Sequence, residues 1–156
     1  MDRAYKIPES VLVLIHTPDL EVLLLNRVDA PGYWQCVTGS KDSPDETLAQ
    51  TAAREVWEET GLDCRPGSPL ALHLRDWGVS NVYEIYPQWR CRYAPGTLLN
   101  TEHIWSLQVP GRVPVRLAAR EHSQAQWLPL HEAAWCCSSA SNAEACLLLP
   151  RVLGGH

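Results

Sequence analysis

The sequence predicts an α/β or α+β sandwich, helices packed on a mixed β-sheet, in a single domain spanning residues 1–156. Three features lead there. Two short apolar runs, residues 11–15 (VLVLI) and 22–25 (VLLL), flank Thr17-Pro18-Asp19, the pattern of two paired strands around a turn. Asp45 to about Thr60 lacks Gly and Pro, is rich in Ala and Glu, and runs into Gly61, so it reads as a helix with a glycine stop. Strand-like and then helical segments follow it.

In chain order, Asp29-Ala30-Pro31-Gly32 is a loop and residues 33–38 form another short strand. After the helix, Arg65-Pro66-Gly67-Ser68-Pro69 is a loop. Strands are expected near 70–74, 81–86, 89–93 and 102–109. Residues 111–124 read as an irregular connection and 125–128 as a last strand. Helical segments are expected near 131–137 and 142–149.

The length suits one domain, and an apolar fraction of 46% suits a globular core rather than disorder. Phe is absent and Trp occurs seven times, which assigns the core to Trp and Leu. A net charge of −5 argues against nucleic-acid and membrane-surface partners, which select basic patches. It would also repel a polyphosphate unless bound cations reverse the local sign. No apolar run approaches the roughly 18–20 residues of a membrane span. Residues 1–10 carry charges and a proline, unlike a signal peptide, so a cytoplasmic location is expected. Cys36, Cys64, Cys91, Cys136, Cys137 and Cys146 lack zinc-site spacing and read as buried free thiols. The six His residues likewise show no metal spacing and are assigned structural or exposed positions.

The helix carries the chemistry. At about 100° per residue, Glu55, Glu58 and Glu59 fall within about a third of its circumference. Ala49, Ala53 and Val56 occupy a neighbouring face, small enough to pack closely on a sheet. Three like charges repel one another, whereas a divalent cation turns their crowding into binding. Hard oxygen ligands suit magnesium, with manganese as a substitute. Arg54 stands one turn before Glu58 and can fix its rotamer.

The segment from Gly39 to Leu62 resembles the signature of the Nudix hydrolases, Gly-x5-Glu-x7-Arg-Glu-apolar-x-Glu-Glu-x-Gly-apolar. Glu46, Arg54, Glu55, Val56, Glu58, Glu59, Gly61 and Leu62 fall on its defined positions. Ser40 takes the place of the signature glycine, which is acceptable where φ is negative and the side chain has room. The resemblance implies an α/β/α sandwich around a mixed sheet and hydrolysis of a phosphoanhydride in a nucleoside-diphosphate-like compound. It does not choose the substrate.

A second resemblance extends along the chain. Tyr33-Trp34-Gln35-Cys36-Val37-Thr38-Gly39-Ser40, Arg92-Tyr93-Ala94-Pro95-Gly96 and Asn100-Thr101-Glu102 are similar to segments of the bacterial dihydroneopterin triphosphate diphosphatase group. Glu121-His122, Trp127-Leu128 and Ser141-Asn142 are similar as well, and Ser40 fits the same group. That resemblance implies release of pyrophosphate from a pterin triphosphate in folate synthesis. A nucleoside triphosphate or dinucleoside polyphosphate is the alternative substrate, and a catalytically silent binding module the alternative from another class.

On these terms Glu55, Glu58 and Glu59 hold magnesium, with Glu121 as base or additional ligand and Glu55 as the competing base. Arg54 completes the catalytic group. Arg27, Lys41 and Arg92 are candidates for phosphate contact. Trp34 or Tyr93 could stack on a pterin, Gln35 or Asn142 could read its edge, and Ser40 lies in the substrate loop. Glu102, in an expected strand, is a further candidate.

Overall fold

The computed structural model describes residues 4–154, so the first three residues of the 1–10 stretch lie outside it. Strands β1 (Glu9–His16) and β2 (Glu21–Arg27) form the expected pair. At the turn, Thr17 N donates to Glu21 O at 2.9 Å and Leu20 takes a φ of 61°. The strands share one registered pair, His16 with Val22, and then diverge. Residues 34–40 fill the gap. β3 (Trp34–Gln35) pairs with β2, and β4 (Val37–Ser40) pairs with β1 from Val13↔Val37 to Ser10↔Ser40. The single strand expected at 33–38 is therefore two, split at Cys36 by the change of partner.

β6 (Leu99–Gln108) runs parallel to β1, from Glu9↔Thr101 to His16↔Gln108. β5 (Leu74–Glu84) is antiparallel to β6, and β7 (His122–Pro129) is antiparallel to β2. The result is one mixed sheet in the order β3-β2-β1-β6-β5, with β4 on β1 and β7 on β2.

Both faces of the centre are covered, which is why the first run is apolar without interruption. Val11, Val13 and Ile15 point to one layer, with Leu23, Leu25 and Leu107, against α1 (Leu48–Thr60). Leu12 and Leu14 point to the other, with Val22, Leu24 and Ile104, against α2 (Leu130–Cys136) and α3 (Ala140–Leu153). Successive strand residues alternate between faces, so one run serves two cores. Valine, leucine, isoleucine and alanine do most of the filling. Of the expected Trp and Leu core the leucine part forms, whereas only Trp105 of the Trp residues is buried, Trp34, Trp77 and Trp127 pack at its edge and Trp135 is 93% exposed.

α1 starts three residues later than expected because a capping box forms at Thr47. Its hydroxyl accepts from Gln50 N at 3.1 Å, and Gln50 Oε1 accepts from Thr47 N at 2.9 Å. The helix stops at Gly61, whose φ of 75° is left-handed and whose N–H reaches Trp57 O. Its sheet-facing small residues are Ala52 and Ala53 with Val56; Ala49 is exposed.

The strands expected at 70–74 and 89–93 are 3₁₀ turns, Pro69–His73 and Pro87–Arg92. Each opens with a proline whose fixed φ suits a first helical position, although its apolar residues resemble those of a strand. β7 begins at His122, three residues before the expected 125, and its register against β2 shifts between Asn26 and Arg27. Gln124 pairs with Asn26 and His122 with Arg27, leaving Ser123 as the extra residue of a bulge. No helix among the described residues is long and apolar enough to cross a membrane.

Candidate active site

The ends of β4, α1 and β7 meet at a cavity of about 790 Å³. Arg54 organises its acidic wall. Its Nε and Nη2 donate to both oxygens of Glu46 at 2.9 Å, Nη1 donates to Glu55 Oε1 at 2.8 Å and Glu58 Oε2 at 3.3 Å, and Nη2 also reaches Ser40 O at 2.8 Å. The paired guanidinium holds the Glu46 carboxyl down at about 2. Glu46 also accepts from Asp42 N and the Thr51 hydroxyl, tying the preceding loop to the helix. The single partner expected for Arg54 thus becomes a network.

The three helix carboxylates differ in environment. Glu58 is exposed, whereas Glu55 and Glu59 are buried. Burial pushes the Glu55 carboxyl up to about 7 despite Arg54 beside it. Glu59 is also raised well above its ordinary range, by burial first and then by the charges of Glu55 and Glu121. Both Glu59 oxygens are enclosed without a hydrogen-bond partner, a costly state for an ionised group.

Glu121, exposed at the cavity, brings an oxygen to this point. Oxygens of Glu59 and Glu121 and a ring nitrogen of His122 lie within 4.8 Å of one another. The bulge in β7 turns His122 inward, so that its Nε2 stands 3.5 Å from Glu59 Oε1. Burial lowers His122 to about 4, leaving the imidazole neutral at pH 7 with a lone pair to offer. Two carboxylates and a neutral imidazole around orphaned buried oxygens fit a divalent cation. The structural or exposed role expected for His122 is thereby corrected: it has no His or Cys partner at metal spacing in the sequence, and its neighbour Glu121 is the one signal there.

The remaining predicted residues are placed unevenly. Arg27 and Arg92 line the cavity, yet both pair with Asp29 at 2.7 Å, and Arg27 lies 4.4 Å from the centre of the Trp89 ring. Lys41 pairs with Glu9. Gln35 and Tyr93 line the cavity, and Gln35 Nε2 is 3.2 Å from the Thr38 hydroxyl. Asn142 lines it too, but Oδ1 accepts from Cys36 N at 2.8 Å and Nδ2 donates to the Ser139 hydroxyl at 2.6 Å, so it braces the wall. Trp34 packs against the core beneath α2 and α3 and is absent from the lining. The aromatic wall is made instead by Tyr33, Tyr83, Tyr86 and Trp89, with Tyr33 and Tyr86 edge-on to Trp89 at 5.7 and 5.3 Å. Of the thiols, Cys36, Cys64 and Cys146 are buried and Cys91 is exposed.

The sequence profile of the NUDIX domain family matches residues 6–145. The chain belongs to the Nudix family. It is 41% identical over 143 residues to the dihydroneopterin triphosphate diphosphatase of Haemophilus influenzae, covering 90% of this chain and 86% of that protein. It is 39% identical over 145 residues to the Escherichia coli K12 enzyme of the same name, covering 92% and 93%. The solved structure of the E. coli dihydroneopterin triphosphate pyrophosphohydrolase superposes with a TM-score of 0.82 at 38% identity, covering 92% of this chain and 95% of that one.

Within this Nudix chain, the missing signature glycine has a local explanation. Ser40 is not among the residues with positive φ, so serine is tolerated there. The close approach falls one residue earlier: a Cβ at Gly39 would overlap the Glu55 carboxyl group. Gly39 is therefore the seat of that carboxylate.

Proposed function

We propose that this Nudix enzyme is a magnesium-dependent diphosphatase that converts dihydroneopterin triphosphate to the monophosphate and pyrophosphate. The observation that carries this is the enclosed, unpartnered Glu59 carboxylate, grouped with Glu121 and His122 beside a cavity walled by tyrosine and tryptophan. The relatives near 40% identity over nine-tenths of the chain support the choice of substrate.

Glu55, Glu58, Glu59 and Glu121 would hold the cation, with His122 available to join them. A bound divalent cation supplies positive charge against the triphosphate and a lowered pKa for water. Glu121 takes the proton of the attacking water, because its carboxylate makes no ion pair among the described residues, whereas Glu55 is held by Arg54 through Oε1. Arg54 keeps the loop carbonyl of Ser40 and the carboxylates of Glu46 and Glu55 in one arrangement, so the site is organised before substrate arrives. Arg27 and Arg92, both lodged against Asp29 on the cavity wall, present guanidinium groups toward phosphate oxygens. The aromatic wall takes the ring.

Pyrophosphate release with magnesium tests this, comparing dihydroneopterin triphosphate with common and oxidised nucleoside triphosphates. The expected kcat/KM for the pterin substrate exceeds the others by at least about tenfold, and a chelator abolishes it. Better cleavage of a nucleotide would keep the chemistry and discard the pterin; no release from any substrate would overturn both.

A further inference from the structure

The β6 wall of the cavity holds two acceptors that lie idle. Asn100 and Glu102 stand two apart on β6, so they share one face of the strand, and both line the cavity. Asn100 is 1% exposed and Glu102 3% exposed. Asn100 Nδ2 donates to the Ser10 hydroxyl at 2.7 Å and the Tyr83 hydroxyl at 3.0 Å, which fixes the amide and leaves Oδ1 without a partner. Glu102 Oε1 also has none, and no charged group among the described residues acts on Glu102. Buried acceptors without donors are uncommon, and two on one wall of a cavity call for a ligand that brings N–H groups. A metal ion is a poor match, because Glu102 joins no cluster of carboxylate, imidazole or thiol groups among the described residues.

We infer that Glu102, assisted by Asn100, is the specificity-determining residue that reads the 2-amino-4-oxo edge of the substrate ring. This rests on the pterin substrate proposed above. That edge presents a ring N–H and an exocyclic amino group side by side, so a carboxylate accepts one hydrogen from each through its two oxygens. The second amino hydrogen is left for Asn100 Oδ1. Tyr83, which hydrogen-bonds Asn100 and lines the same cavity, belongs to the aromatic wall along which the ring would lie. A ring carrying oxygen in place of the amino group would set a carbonyl against the carboxylate and leave a buried acceptor unpaired. Sites built around such hydrogen bonds reject analogues lacking the donor far more strongly than apolar pockets reject a missing methylene.

The test is calorimetric titration of metal-free protein with 6-hydroxymethylpterin and with its 2-oxo counterpart, 6-hydroxymethyllumazine, in the wild type and in Glu102→Gln. The wild type is expected to bind the pterin at least about tenfold more tightly, and Glu102→Gln to lose that preference while keeping its circular dichroism spectrum. Equal affinities in the wild type, no measurable binding of either probe, or a preference retained in the variant would overturn the inference. Pyrophosphate release from dihydroneopterin triphosphate is scored separately. A protein that selects the pterin through Glu102 but leaves that triphosphate uncut keeps the subsite and refutes the reaction. A protein that cuts it while Glu102→Gln still prefers the pterin keeps the reaction and refutes the subsite.

Discussion

Replacing Glu102 by glutamine should stabilise the metal-free protein, with a gain that grows as pH rises. Burial lifts the Glu102 carboxyl from its ordinary 4.5 to about 7, against a weaker opposing pull from the Ser141 hydroxyl. The unfolded chain therefore releases this proton near pH 4.5 and the folded chain near pH 7. Between those values the unfolded state binds fewer protons, so folding loses stability as pH rises and the full penalty is present above pH 7. At about 1.4 kcal/mol per unit of pKa difference, the penalty is roughly 3 kcal/mol by about pH 8.5 and under about 1 kcal/mol at about pH 5. Glutamine has nearly the same size and does not titrate. Urea denaturation of wild type and variant across this pH range, without metal or ligand, measures the difference directly. Other groups with raised values, such as Glu55, titrate in both proteins and cancel in that difference. A difference that stays flat with pH, or a variant less stable than the wild type at about pH 8.5, would refute the claim that this carboxylate is buried at a cost.

Gly39→Ala should lower kcat by at least about a hundredfold, because the Glu55 carboxyl must retreat by more than about 1 Å to admit the new Cβ; steady-state rates within threefold of wild type would show that Glu55 has another place to sit. Glu121→Gln should cut turnover more than it weakens magnesium affinity measured by calorimetry, whereas equal losses in both would leave Glu121 as a cation ligand alone and remove it as the base. Magnesium at about a hundred times its Kd should stabilise the folded protein by about 2.7 kcal/mol, read as a rise in melting temperature. Glu59→Gln should lose most of that rise, and a full rise in the variant would remove Glu59 from the cation site.

What was legible in the sequence is what is local in the chain. The placement of Glu55, Glu58 and Glu59 on one helix follows from helical periodicity, and Gly61 marks the end of that helix in both sequence and structure. The paired strands around residues 17–20 were readable for the same reason. Features set by pairing between distant segments were not. His122 turns inward because of a bulge against Arg27, 95 positions away in the chain, and nothing in its neighbours announces that. Glu102 alternates with polar and apolar residues alike, so its burial depends on β1 and β5 flanking β6. The two proline-led 3₁₀ turns carried strand-like apolar content, and only the proline at the first position argued otherwise.

The divergence of β1 and β2 has a consequence for how such a protein can change. Where β3 and β4 fill the split between them, the cavity draws Arg54, Glu55, Glu58 and Glu59 from the layer on one side and Ser141 and Asn142 from the layer on the other. Each layer rests on its own set of alternating β1 residues. Repacking beneath α3 can therefore tilt the ring-binding wall while the helix that carries the acidic residues stays where it is, and the reverse holds for α1. Selectivity and chemistry are in that sense separately inherited parts, free to drift at different speeds within one small molecule.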